Sequence, residues 1–363
     1  MVGSKSVRMP WWAWAWPLLA YGLLASWAAG AAGIAFAAMA AVVLVATVFA
    51  AVYHAEVVAH RVGEPFGTLV LALAVTVIEV ALIVSVMLGG GPDTAALARD
   101  TVFAAVMIIC NGLVGICLLV GGARHHEQGF QAQGANAALA VLAAMVTLSL
   151  VLPNFTTSAA GPLFSISQLV FAGTVSLVLY GTFVFVQTVR HRDYFLPHAD
   201  PALVADEEMH APPPSNALTL ASLALLLTAL VAVVGLAKAL TPTVEAGVER
   251  AGAPKAVVGI VIAAVVLLPE GLAALRAARM NRLQTSMNLA LGSALASSGL
   301  TIPAVATVSI ILDTPLALGL GPKEEVLLAV TLLVGVITLG TGRTTVLQGV
   351  VHLGSRDKVL RTT

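Results

Sequence analysis

The chain is predicted to be an all-α polytopic membrane protein with about 11 transmembrane helices, on three observations. First, 59% of its 363 residues are hydrophobic and only 10% are charged. A soluble domain carries about 25% charged residues, and no water-soluble fold of this length hides so much apolar surface. Second, the apolar residues fall into successive runs of about 20, the length that crosses a ~30 Å hydrocarbon core. Third, a hydrophilic break at 190–216 divides the runs into two sets of five, preceded by one extra run. A formal net charge of zero gives no electrostatic footprint for a nucleic-acid partner.

The extra run, 12–30, follows Lys5 and Arg8 and carries Trp11, Trp12, Trp14 and Trp16. Clustered tryptophans suit the membrane interface, so residues 1–32 read as a retained N-terminal helix rather than a cleaved leader. The first set of five occupies 33–189, with runs at 33–54, 67–88, 101–121, 135–152 and 164–188. The break holds His191, Asp193, Asp206, Glu207 and Glu208 and three prolines from Pro212 to Pro214, a composition expected of a cytoplasmic linker. The second set, 217–363, has runs at 217–240, 255–277, 286–311 and 326–341. Its last member is atypically short: 344–353 is apolar, but Ser355, Arg356, Asp357, Lys358 and Arg361 follow, so it is not expected to span normally. With a cytoplasmic N-terminus, Arg61, Arg124, Arg190, Arg276, Arg279 and Arg343 fall on the inner side together with Lys5 and Arg8, whereas Arg99, Lys238, Arg250, Lys255 and Lys323 fall outside. That excess obeys the positive-inside rule. A set of five helices reverses direction when repeated, so two inverted repeats are expected, a plan that places an ion site near the bilayer midplane. Cys110 and Cys117 lie seven positions apart in one run, about 10 Å along a helix, too far for a disulfide.

Two residues carry the chemistry. Glu79 and Glu270 are each the only acidic residue of a long apolar run. A charged side chain at the centre of a membrane helix costs roughly 2.5–3.5 kcal/mol or more, which marks it as functional by default. Glu79 stands about twelve residues into its run, ~18 Å at 1.5 Å per residue, and Thr76 shares its helical face. Glu270 is flanked by Pro269 and Gly271. Proline removes a backbone donor and crowds the carbonyl four residues back, so a helix break is expected there, with freed carbonyl oxygens beside the carboxylate. Asn111 and Ser293, on the runs following each glutamate, are candidate supporting ligands; Ser297 and Ser298 read as small packing residues. Glu64 reads as a loop charge, and the histidines show no metal-site spacing. No phosphate-binding loop, nucleophile elbow or zinc signature is present, so neither an enzyme nor an ATP-driven pump is expected, and no cofactor.

These residues resemble the bacterial calcium/proton (sodium/proton) antiporters of the calcium:cation antiporter superfamily. The resemblance rests on G-E-P-F-G-T with V-T-V-I-E-V (63–80), L-L-P-E-G with L-x-A-x-R (267–279), N-L-A-L-G-S-A-L (288–295) and T-G-R-T-x-V-L-x-G with H-L (341–353). It implies two inverted repeats, each giving one buried glutamate, Glu79 and Glu270, to a shared ion site, in a multi-pass protein of the bacterial inner (cytoplasmic) membrane. It further implies export of Ca2+ in exchange for H+, with the two carboxylates binding cation and protons in turn. The G-N-A-x-E pattern of the vacuolar-type exchangers is absent before both glutamates, and a glutamine common in their second repeat falls on Ala296. The chain looks closer to the branch associated with sodium and potassium as well as calcium, so Na+/H+ or K+/H+ antiport is the alternative. A passive channel is remoter, because it would place carboxylate rings at a pore mouth.

Overall fold

The computed structural model describes residues 9–63, 66–87, 94–196, 214–252 and 256–362. Among them the chain forms eleven helical rods: α1 (Trp11–Ala28), α2 (Ile34–Val62), α3 (Phe66–Met87), α4 (Leu97–His125), α5 (Ala132–Phe155), α6 (Ile166–Arg190), α7 (Asn216–Arg250), α8 (Ala256–Arg279), α9 (Leu283–Leu312), α10 (Pro322–Leu339) and α11 (Val346–Thr362). Six of these described helices, α2, α4, α5, α6, α7 and α9, are long and apolar enough to cross a membrane. Helix ends follow local chemistry. Ser165 caps α6 in a capping box with Gln168. Gly63, at φ 74°, closes α2 in a conformation that favours glycine. The linker centres on 197–213, outside the described residues, as do Lys5, Arg8 and Glu64.

Helix length and apolar-run length differ at three places, although α11 remains the shortest of the eleven and is not among those long and apolar enough to cross a membrane. Helices α2 and α7 continue past their apolar runs, to Val62 and Arg250. Helix α11 is one continuous helix of 17 residues through the charged tail, about 26 Å long at 1.5 Å per residue. Hydropathy marks where a helix prefers lipid; a helix itself persists until its backbone meets a breaker, and Arg, Lys and Leu are good helix formers.

The chain divides into two compact units. The first comprises α1, α2, α3 as far as Leu82, and α7 as far as Gly247. Here α1 and α2 pack together along small residues. His54 Nε2 meets the carbonyl of Ala13 at 3.0 Å, Trp12 lies edge-on to Tyr53, and Tyr21 donates to the carbonyl of Thr228 on α7.

The second unit holds the remainder of α3, α4 to α6 and α8 to α11. Its centre is α4, the most deeply buried of the long spans, with α8, α9, α10 and α11 packed around it. The seam between α4 and α11 is closed by glycines. A Cβ on Gly349 would lie 2.4 Å from Leu119 N, and one on Gly122 would lie 2.6 Å from Val346 N, so only a hydrogen atom fits at either place. A two-stranded pair, β1 (Gln128–Gly129) with β2 (Arg343–Thr344), joins the turn after α4 to the turn before α11.

Candidate functional site

Glu79 and Glu270 each sit just past the midpoint of their helices, of 22 and 24 residues. Within the first unit, Glu79 and Thr76 share a face of α3 and are both buried. Within the second unit, Ser293 of α9 donates its hydroxyl to Glu270 Oε2. Among the described residues no Lys, Arg or His pairs with Glu270.

The expected helix break beside Glu270 is not there. Helix α8 is continuous from Ala256 to Arg279 with Pro269 inside it. A proline removes one donor from the ladder, but the turns on either side keep theirs, and neighbouring helices can hold such a segment straight enough to continue. Gly271 does not loosen a turn either; it forms a contact surface. A Cβ there would sit 3.6 Å from Leu113 of α4, which puts the turn of Glu270 against the middle of that helix.

The irregular backbone lies in the neighbouring helices. A π-helical turn, Ile108–Leu113, interrupts α4 and contains Asn111; another, Ser297–Thr301, interrupts α9 and contains Ser297 and Ser298. Single π-turns inside α-helices recur at functional sites because they displace carbonyls and side chains from the regular ladder.

Asn111 is wholly buried. Its Nδ2 donates to Thr331 Oγ1 of α10 at 2.8 Å and meets Met107 Sδ at 3.7 Å. Its Oδ1 has no hydrogen-bond partner. The hydroxyls of Ser298 and Thr301 in the α9 π-turn are likewise buried without partners. Next to Asn111, the carbonyl of Cys110 meets His352 Nδ1 of α11 at 2.7 Å, and His352 Nε2 meets Thr338 Oγ1 at 2.7 Å. Cys110 and Cys117 are free and buried.

In the second unit Ser293 of α9 meets Glu270 of α8, and the turn after Glu270 lies against the π-turn of α4 that carries Asn111. All three side chains carry hard oxygen donors, the kind that Ca2+ takes six to eight of. Among the described residues no group of three or more His, Cys, Asp or Glu side chains is poised to hold a metal, so the donors here are one carboxylate and neutral oxygens. Thr331 and His352 were not singled out from the sequence as site residues. Thr331 is one of two threonines in the apolar stretch 326–339, a weaker form of the signal that exposes the glutamates.

Comparison with known proteins identifies the family. A family model described as sodium/calcium exchanger protein matches residues 32–189 and 221–355. The y4hA protein of Sinorhizobium fredii is 53% identical over 356 residues, 96% of this chain and 95% of that one. The sodium-potassium/proton antiporter ChaA of Escherichia coli is 35% identical over 311 residues, 85% of this chain and 83% of its own. Among solved structures, the Ca2+/H+ antiporter protein YfkE superposes with a TM-score of 0.69 at 16% identity, covering 96% of this chain and 97% of that one. The chain therefore belongs to the sodium/calcium exchanger family, within the calcium:cation antiporter superfamily, and is a multi-pass membrane protein of a family of ion transporters rather than enzymes.

Proposed function

We propose that this protein is a secondary active cation/proton antiporter that exports Ca2+ in exchange for H+, with Glu79 and Glu270 as the carboxylates that bind cation and protons in turn. The observation that carries the reading is Glu270: a carboxylate in a membrane helix, donated to by Ser293 and lacking a protein cation among the described residues. Such a group needs a proton or a metal ion to be stable in that medium. Replacing one divalent ion by two protons leaves the charge on two carboxylates unchanged, so either loaded form can change access without a large electrostatic penalty. Thr76, Asn111 and Ser293 supply neutral oxygens to the cation. On this reading 33–189 and 217–363 are inverted repeats joined by a cytoplasmic linker at 190–216, each contributing one glutamate. The N-terminus is cytoplasmic and the membrane is the bacterial inner membrane; the bias of Arg and Lys toward one side supports that orientation.

A second reading, Na+/H+ or K+/H+ antiport through the same glutamates, is favoured by the E. coli relative, whose name specifies sodium, potassium and proton. The two are separated by a cation panel on everted vesicles with an internal pH dye. Glu270→Gln and Glu79→Gln should each abolish cation-driven proton movement while the protein still reaches the membrane. Exchange that persists in both variants would remove the basis of the proposal.

A further inference from the structure

The orientation of the Asn111 amide is set by its neighbours. Thr331 Oγ1 lies 3.4 Å from Met107 Sδ. A thioether sulfur accepts hydrogen bonds and has no proton to give, so in this arrangement the Thr331 hydroxyl donates to it. Toward Asn111 the Thr331 oxygen then offers a lone pair, which accepts the amide N–H at 2.8 Å. The other amide proton also meets Met107 Sδ, at 3.7 Å. Both N–H groups of Asn111 are consumed, and Oδ1 is left over. A flipped amide would take the Thr331 proton on Oδ1 instead, but it would give up both N–H contacts, to Thr331 Oγ1 and Met107 Sδ, and turn its N–H groups to the side where Oδ1 has no partner.

Both side chains are buried: Asn111 is 0% exposed and Thr331 2%. A buried acceptor with no donor is costly, and native structures keep such atoms where they serve a purpose. The π-turn that carries Asn111 also carries Leu113, which lies against Gly271, the residue after Glu270.

We infer that Thr331 is a positioning residue which, with Met107, holds Asn111 by its nitrogen and so reserves Oδ1 for the transported cation. The inference rests on the reading of Asn111 as a cation ligand given above. It adds a polarity-setting device on α10, a helix that carries neither glutamate. Without it the amide is free to present N–H groups, which repel a cation, for part of the time.

The test uses purified full-length protein in liposomes loaded with a pH dye, with Ca2+ titrated outside (and Na+ or K+ where the wild type exchanges them). Thr331→Val keeps the side-chain shape and removes the hydroxyl. It should raise the half-saturating cation concentration roughly tenfold, the scale of one hydrogen bond to a buried polar group, and leave the maximal rate within about twofold. Thr331→Ser should behave as wild type. Asn111→Ala combined with Thr331→Val should be no worse than Asn111→Ala alone, because the two act through one oxygen. Met107→Leu, which removes the sulfur but keeps the bulk, should shift half-saturation in the same direction by less. An unchanged half-saturation in Thr331→Val, or full additivity with Asn111→Ala, overturns the inference. If Thr331→Val is not recovered folded, Met107→Leu decides: a shift supports the role and no shift overturns it. Glu270→Gln in the same assay separates the two levels. Loss of exchange there leaves the function standing whatever Thr331 does, whereas retained exchange overturns both.

Discussion

Replacing Gly349 by alanine drives a methyl group into the backbone of α4. The new Cβ would lie 2.4 Å from Leu119 N, 2.7 Å from Leu119 Cα and 2.9 Å from Gly115 O. Non-bonded heavy atoms settle near about 3.5 Å, so α11 has to move away from α4 by about 1 Å at this point. No side-chain rotamer relieves the clash, because every atom met is main chain. The move also draws His352, one turn further along α11, from the Cys110 carbonyl that it meets at 2.7 Å. Overpacking costs roughly 1–3 kcal/mol and the weakened hydrogen bond about 1 more, so a loss of about 2–4 kcal/mol is expected. The assay is the thermal midpoint of detergent-solubilised protein followed by fluorescence-detected size exclusion. Gly354→Ala, on the same helix with nothing within 4 Å of its Cβ, is the control. Gly349→Ala should unfold several degrees below both wild type and the control. Equal midpoints for the two variants would refute the close approach of α4 and α11.

Two further outcomes follow from the geometry. Gly271→Ala should be tolerated, with stability unchanged or improved by up to about 1 kcal/mol, because its Cβ meets Leu113 at an ordinary 3.6 Å inside a continuous helix; a collapse of expression or thermal midpoint would show that a helix break exists there after all. If protons and cation compete for the same carboxylates, the half-saturating cation concentration measured in the vesicle assay should fall as external pH rises, and a value flat across pH 6–9 (a range of about three decades in proton concentration) would count against competition.

The helices were legible because each apolar run is long and the bilayer imposes one length on all of them. What hydropathy misread is instructive. It underrated the chain after 353, since charge there disfavours lipid but not helix, and α11 runs on to Thr362. The proline rule foretold a break at Pro269, yet one missing donor does not end a helix whose other bonds survive. The irregularities that the structure shows among the described residues, π-turns at 108–113, 147–151, 186–190 and 297–301, leave no mark in composition; Ile-Ile-Cys-Asn-Gly-Leu, for one, reads as ordinary membrane helix. Candidates such as Asn111 and Ser293 stand out as polar residues in apolar runs, but their partners do not. Asn111 and Thr331 are 220 positions apart, and no local pattern joins them. The glycines at 115, 122 and 349 are likewise silent until it is known which helices meet.

The π-turn of α4 uncouples the length of that helix from its phase. It absorbs one residue beyond what the α-ladder needs while the segments on either side stay in step. Removing one residue between 108 and 113 would let the ladder close, and Gly115 and Gly122 would still face α11. Removing one between 97 and 107 would swing the remainder by about 100° relative to the first turns and take both glycines off that seam. The stretch around Asn111 is therefore the part of the rod that can be edited without unseating its neighbours, so that turn and the scaffold that carries it can vary independently.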